Sequence, residues 1–163
     1  MFRLLHNIGR KFNENYNTPE EILACNDILT FDGVYRNVFT HRGILAGKQV
    51  YLFVTGDFVG KDNSFDAPMP LELFADWNEI MQIVQETGAK LGWHTWSHRD
   101  LTTLSDEEIE KELTPPFPMK YVAYPYGKFD ERTLRIAKEI GFYQGFSVYQ
   151  GNGQALQMQR HYL

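Results

Sequence analysis

Short apolar runs alternate along this chain with segments whose apolar residues recur at helical spacing, and no other feature restricts the fold as much. The runs have the length of β-strands and occupy residues 28–31, 50–54, 90–93, 121–124 and 145–148. Helical segments follow the second, third and fourth of them. Because strands that alternate with helices assemble into parallel sheets of βα units, the sequence predicts an α/β fold.

The helical segments begin and end at residues that favour helix boundaries. Asp76, Ser105 and Asp130 have side chains that accept hydrogen bonds from the first turn of a helix. Gly88 and Gly141 are glycines of the kind that end helices in a left-handed conformation. The predicted helices are 76–88, 105–113 and 130–140.

The first 26 residues are polar and rich in asparagine, and they precede this alternating pattern. Thr18, Pro19 and Glu21 have the pattern of a helix start with a capping box. We therefore predict an N-terminal extension of helix and loop over 1–26. No Pro/Gly/Ser-rich linker divides the chain, so its 163 residues are predicted to form a single domain, 1–163.

Composition excludes several classes of protein. The net charge of -5, without a basic cluster, argues against a nucleic-acid partner. Cys25 is the single cysteine, so the fold needs no disulfide, and no apolar run has the length of a membrane span. These features predict a cytoplasmic location, although a chain from which a leader had been cut would read the same.

Polar side chains occur at the ends of four different predicted strands. Asp32, Asp57, His94 and Tyr124 each lie where a strand ends and a loop begins. Since the carboxyl ends of parallel strands share one edge of the sheet, these residues are expected to lie close together.

Three of these segments have both a functional and a purely structural interpretation. His94 and His98 are four residues apart and could bind one metal ion, or they could be two ordinary surface histidines. Asp32 could be a ligand or a base, or it could begin an Asp-Gly turn. Tyr124 and Tyr126 flank a proline in a turn that could hold backbone N–H groups at the edge or could simply be rigid.

Taken together and in this order, the segments resemble the polysaccharide deacetylase (NodB-homology) family of carbohydrate esterases. The resemblance runs from about residue 28 to residue 148 and rests on the segments 30–33, 91–101, 104–109 and 124–130. It implies a distorted, incomplete (β/α) barrel and a divalent metal ion, commonly zinc. It also implies an enzyme that removes acetyl groups from N-acetylated sugars or oligosaccharides.

The same resemblance implies roles for individual residues. His94 and His98 would be metal ligands, and Asp32 would be the general base. Tyr126, or the backbone of Tyr124, would lie on the oxyanion side. Trp96 and Tyr126 would contact the substrate. His161 is the only histidine after Gly127 and is the candidate catalytic acid; the alternative is a terminal residue with no role.

The chain departs from the family pattern at two positions. Gly33 stands where the family has its metal-binding aspartate, and Ala123 stands where an arginine often orients the base. Either Asp32 takes the ligand role, or Asp57 or Asp66 supplies the third ligand. The alternative is that this chain is a non-catalytic relative of these enzymes, which binds a glycan or a partner protein. The short chain also leaves an oligomer possible, in which a partner supplies a missing strand.

Overall fold

The computed structural model describes residues 4–7, 24, 27–64, 71–148 and 151–162. Its centre is a sheet of eight strands in the order β7-β6-β5-β4-β3-β2-β1-β8. All of its pairings are parallel. The strands are β1 (Leu4–Asn7), β2 (Ile28–Asp32), β3 (Val50–Val54), β4 (Lys90–Trp93), β5 (Tyr121–Ala123), β6 (Gln144–Ser147), β7 (Met158–Gln159) and β8 (His161–Tyr162).

Helices connect successive strands, as expected for βα units. The α-helices are α1 (Arg36–Thr40), α2 (Trp77–Thr87), α3 (Asp106–Leu113) and α4 (Glu131–Ile140). Short 3-10 turns cover Arg42–Leu45, Gly56–Phe58, Leu101–Thr103 and Pro125–Gly127. Among the described residues, no helix combines the length and apolar character needed to cross a membrane.

The ends of the sheet meet through the last described residues. β7 pairs with β6, β8 pairs with β1, and Arg160 alone separates β7 from β8. The segment 158–162 therefore joins the two edges of the sheet. Six longer strands and this bridging segment confirm the predicted distorted, incomplete (β/α) barrel.

The predicted helices are confirmed together with the residues that end them. The side chain of Asp76 accepts a hydrogen bond from the backbone of Glu79 and completes a capping box, and Ser105 does the same at α3. Gly88 and Gly141 end α2 and α4 at φ 73° and 103°, in the left-handed region that glycine adopts at little cost.

The N-terminal prediction is wrong where the structure describes it. Leu4–Asn7 is a strand paired with β2, not part of a helix or loop extension. Four residues are too few to show a period, and strand pairing overrides their weak local preference. The helix start predicted at 18–21 lies outside the described residues. The strands β7 and β8 have two residues each, so periodicity in the sequence could not predict them either.

Alternate residues of the strands face two different apolar clusters. Leu52 and Val54 of β3 belong to the larger cluster, which contains the buried residues of the helices. Tyr51 and Phe53 belong to a smaller cluster with Phe146 on the opposite face of the sheet. Because side chains alternate along a strand, the smaller cluster fills the interior of the barrel.

Candidate active site

The four polar residues predicted at strand ends lie at the carboxyl edge of the sheet. Asp32 is the last residue of β2, His94 follows β4 directly, and Tyr124 follows β5 directly. Asp57 lies in the 3-10 turn after β3. The parallel strands thus deliver all four to the same end of the barrel.

Asp32 and His94 lie side by side in a buried position. Oδ2 of Asp32 is 3.4 Å from Nε2 of His94, whose side chain is 2% exposed. Nδ1 of His94 lies 2.7 Å from the carbonyl oxygen of Ala123. Since a carbonyl only accepts hydrogen bonds, Nδ1 carries the proton. This hydrogen bond fixes the orientation of the ring, and Nε2 is directed toward the Asp32 carboxylate.

The bend after β4 brings His98 against His94. The ring centroids of the two imidazoles are 4.8 Å apart at an interplanar angle of 73°. The His98 N–H donates to Oγ1 of Thr95 at 3.0 Å, and the Thr95 carbonyl accepts from the N–H of Gly56 at 3.0 Å. The bend is thereby fixed both internally and to the neighbouring turn after β3.

Arg160 holds Asp32 from inside the barrel. Its guanidinium donates to both carboxylate oxygens, Nη1 to Oδ1 at 2.6 Å and Nη2 to Oδ2 at 2.9 Å. The arginine is fully buried, and Nε also donates to the carbonyl of Ser147 at 3.3 Å. A two-point contact of this kind fixes the plane of a carboxylate and stabilises its charge.

The sequence patterns did not indicate Arg160, which contacts the candidate base Asp32. It lies 128 positions from Asp32, so no local pattern connects the two. The presence of Ala123, where the family often has an arginine, could have indicated that an arginine elsewhere contacts Asp32. A chain without the expected arginine at that position needs another cation for a buried Asp32.

The two tyrosines of the 124–127 turn point in different directions. The Tyr124 ring is buried and its hydroxyl donates to the carbonyl of Leu156 at 3.0 Å. That burial raises the pKa of Tyr124 above its usual value. The Tyr124 N–H donates to the carbonyl of Phe146 at 2.9 Å, so it is engaged in the sheet. Tyr126 is 55% exposed, and its ring lies 4.8 Å from that of His98.

Trp96 lies within the bend and Asp57 in the turn after β3, while the other two candidates fall outside the described residues or side chains. Nε1 of Trp96 donates to the carbonyl of Thr114 at 2.8 Å, which directs the indole toward the end of α3. Asp57 is exposed, and its N–H donates to the carbonyl of Trp96. Asp66 lies outside the described residues. His161 lies in β8, where the structure describes the backbone and not the side chain.

Comparison with known proteins gives the chain a family. The family model described as "Polysaccharide deacetylase" matches residues 27–145, which include β2 to β5 and the whole His94–His98 bend. The chain belongs to the polysaccharide deacetylase family.

Two similar members of this family are named as deacetylases of different polymers. The peptidoglycan-N-acetylmuramic acid deacetylase PdaA of Bacillus subtilis is 27% identical over 154 residues, which cover 85% of this chain and 51% of the relative. Chitin deacetylase 1 of Saccharomyces cerevisiae is 36% identical over 76 residues, which cover 40% and 25%. The chain thus spans about half or less of the length of these curated relatives.

Solved structures show the same fold at low identity. The deacetylase domain of BpsB from Bordetella bronchiseptica superposes with a TM-score of 0.80 and 15% identity. The match covers 99% of this chain and 95% of that domain. At this identity the likeness concerns the fold alone.

The donor types at the site fit the divalent ion that the family implies, but the set is incomplete as placed. Two imidazoles and a carboxylate are ligands that catalytic zinc sites use. His94 Nε2 and Asp32 Oδ2 are 3.4 Å apart, so an ion bound by this nitrogen would lie next to the Asp32 carboxylate. Nevertheless, no three His, Cys, Asp or Glu side chains within the described ranges are grouped so as to hold a metal ion.

Gly56 lets the bend approach the turn after β3, and this gives a first prediction. A Cβ atom at Gly56 would lie 2.4 Å from Cε3 of Trp96 and 2.7 Å from Cη2 of Trp93. We expect Gly56→Ala to lower the free energy of unfolding by about 1–3 kcal/mol, because the two indoles must move. Urea unfolding measures this. Gly43→Ala is the control, since a Cβ there meets nothing within 4 Å; equal stability of the two variants would contradict the prediction.

Proposed function

We propose that this chain is the catalytic domain of a metal-dependent deacetylase that removes N-acetyl groups from an amino sugar. The observation that carries the proposal is the carboxylate of Asp32, held by Arg160 and directed at His94 Nε2 across 3.4 Å. His98 lies beside the pair. Membership of the polysaccharide deacetylase family supports the same chemistry.

In the proposed site, His94 and His98 hold the ion, and Asp57 is the proposed third protein ligand. When bound, a divalent ion polarises the acetyl carbonyl and makes a water molecule more acidic. Oδ2 of Asp32 would accept the proton of the attacking water, in the orientation that the two hydrogen bonds from Arg160 give this carboxylate. His161 is proposed to return a proton to the nitrogen of the departing amine.

The 124–127 turn is proposed to bind the acetyl group and the sugar. The N–H of Tyr126 would donate to the acetyl oxygen as it gains negative charge. The exposed ring of Tyr126 lies over His98 and offers an apolar face to a pyranose ring. Trp96 is proposed to contact a more distant sugar. The substrate is an N-acetylated oligosaccharide. A cytoplasmic location and an oligomer remain predictions from the sequence.

The proposal predicts acetate release that depends on the ion and on both histidines. Zinc-loaded protein should release acetate from a chitooligosaccharide, and chelator-treated protein should not. We expect His98→Ala to lower kcat/KM at least about 100-fold, since even indirect partners of a metal contribute 10–100-fold. His41→Ala, at the end of α1, is the control. Equal activity of the His98 and His41 variants would contradict the proposal.

A non-catalytic binding function is the second candidate, and Gly33 is the observation that favours it. Without the family's carboxylate at this position, the described residues do not form a group of three ligands. A glycan-binding domain would retain the Tyr126 surface and its affinity for chitooligosaccharides in chelator. Tryptophan fluorescence titration without metal, in parallel with the acetate assay, distinguishes the two functions.

A further inference from the structure

The bend that carries the two imidazoles has an unfavourable backbone conformation. Thr95 and His98 have φ angles of 68° and 58°, in the left-handed region. For residues other than glycine this region costs about 1–2 kcal/mol each. Such a conformation persists only when surrounding contacts determine it. The contacts that hold this bend therefore also determine how the two imidazoles face each other.

A buried carboxylate in α3 holds the middle of the bend. Oε2 of Glu112 accepts the N–H of Ser97 at 2.9 Å, and Oε1 accepts the Ser97 hydroxyl. Glu112 is only 7% exposed. In the part of the chain that the structure describes, both donors to this carboxylate come from Ser97. Carboxyl side chains are seldom buried to this extent, so the contact between Glu112 and the bend is a distinctive feature of this structure.

The end of α3 also binds the residue before the bend and a second residue within it. Nε1 of Trp93 donates to the carbonyl of Glu112 at 2.9 Å, and Nε1 of Trp96 donates to the carbonyl of Thr114 at 2.8 Å. Together with Ser97, three residues of the 93–97 segment therefore bind within three residues of one helix end. The end of α3 therefore holds the bend in place through these hydrogen bonds.

We propose that Glu112 is a positioning residue for His94 and His98 that acts through Ser97. Its carboxylate fixes the residue immediately before His98 and so keeps the second imidazole turned toward the first. Its negative charge, held out of solvent beside the bend, also favours a cation at the imidazoles. The proposal depends on the proposed function only for the ion that the imidazoles bind.

The test compares Glu112→Gln with Glu110→Gln, an exposed glutamate of the same helix. Glutamine retains the shape, but it lacks the charge and has one acceptor oxygen, so it cannot accept both hydrogen bonds from Ser97 as the carboxylate does. We expect Glu112→Gln to weaken zinc binding by about 10–100-fold in a chelator competition assay. It should also weaken the nuclear Overhauser effect between the two imidazole rings in metal-free protein. Glu110→Gln should change neither quantity, and thermal unfolding monitors the fold of each variant.

A folded Glu112→Gln protein with unchanged zinc affinity and an unchanged Overhauser effect between the rings overturns the proposal. If this variant does not fold, Ser97→Ala is judged by the same two measurements. A parent protein that binds no zinc contradicts the proposed function. In that case, an Overhauser effect between the rings that is weaker in Glu112→Gln and unchanged in Glu110→Gln still supports the positioning role.

Discussion

Replacement of Arg160 by methionine is expected to lower the free energy of unfolding by about 3–5 kcal/mol. Arg160 is fully buried, and its guanidinium donates to both carboxylate oxygens of Asp32. Its removal leaves a carboxylate that is only 10% exposed without its bidentate cationic partner. The guanidinium also lies 5.5 Å from the centre of the Phe53 ring, so apolar packing is partly preserved by methionine. Urea unfolding measures the effect.

A second substitution tests whether the uncompensated charge is the cause. Asp32→Asn combined with Arg160→Met removes both charges and should recover a large part of the stability lost in Arg160→Met. Both variants should be inactive, because each changes the proposed base or its orientation. An Arg160→Met protein as stable as the parent would contradict the account. So would a double variant no more stable than Arg160→Met alone.

Gly33→Asp is expected to strengthen zinc binding by at least about tenfold and to lower stability. The substitution restores a carboxylate next to Asp32, where the family has its metal-binding aspartate, and a third protein ligand is typical of catalytic zinc. Gly33 has a φ of +81°, which costs a residue other than glycine about 1–2 kcal/mol. A Cβ there would lie 3.0 Å from Cε1 of Phe74. Chelator competition and urea unfolding measure the two effects.

Gly47→Asp is the matched control for this gain of affinity. Gly47 has a nearly equal φ of +77°, and a Cβ there meets nothing within 4 Å. This variant adds the same charge and similar backbone strain away from the site. It should therefore lose less stability than Gly33→Asp and leave zinc affinity unchanged. Equal zinc affinity in the two variants would show that position 33 does not contribute to the ion site.

The sequence predicts the parts of this molecule that depend on local periodicity. Short apolar runs and capping residues identify β2 to β6 and the three longer helices, because buried parallel strands such as β3 are apolar throughout and helical burial repeats every 3.6 residues. Strand ends then place Asp32 and His94 at one edge. The alternation of side chains along a strand also predicts on which face of the sheet the Tyr124 ring lies. Tyr124 is two residues from Val122 and shares its face, so its ring joins the core instead of the site.

The remaining features depend on contacts between distant segments. Arg160 meets Asp32 across 128 residues, and Glu112 meets Ser97 across 15. The direction of the Trp96 indole follows from the position of α3 relative to the bend, which no local pattern encodes. Strands as short as β7 and β8 exist only because their neighbours in the barrel pair with them.

Zinc anomalous scattering from crystals of the zinc-soaked protein is the most direct test of the central claim, which is that His94 and His98 share one ion beside Asp32. The account predicts a single anomalous peak about 2.0–2.1 Å from a ring nitrogen of each histidine. The absence of a peak between the two imidazoles, or rings that point apart in excess zinc, would contradict it.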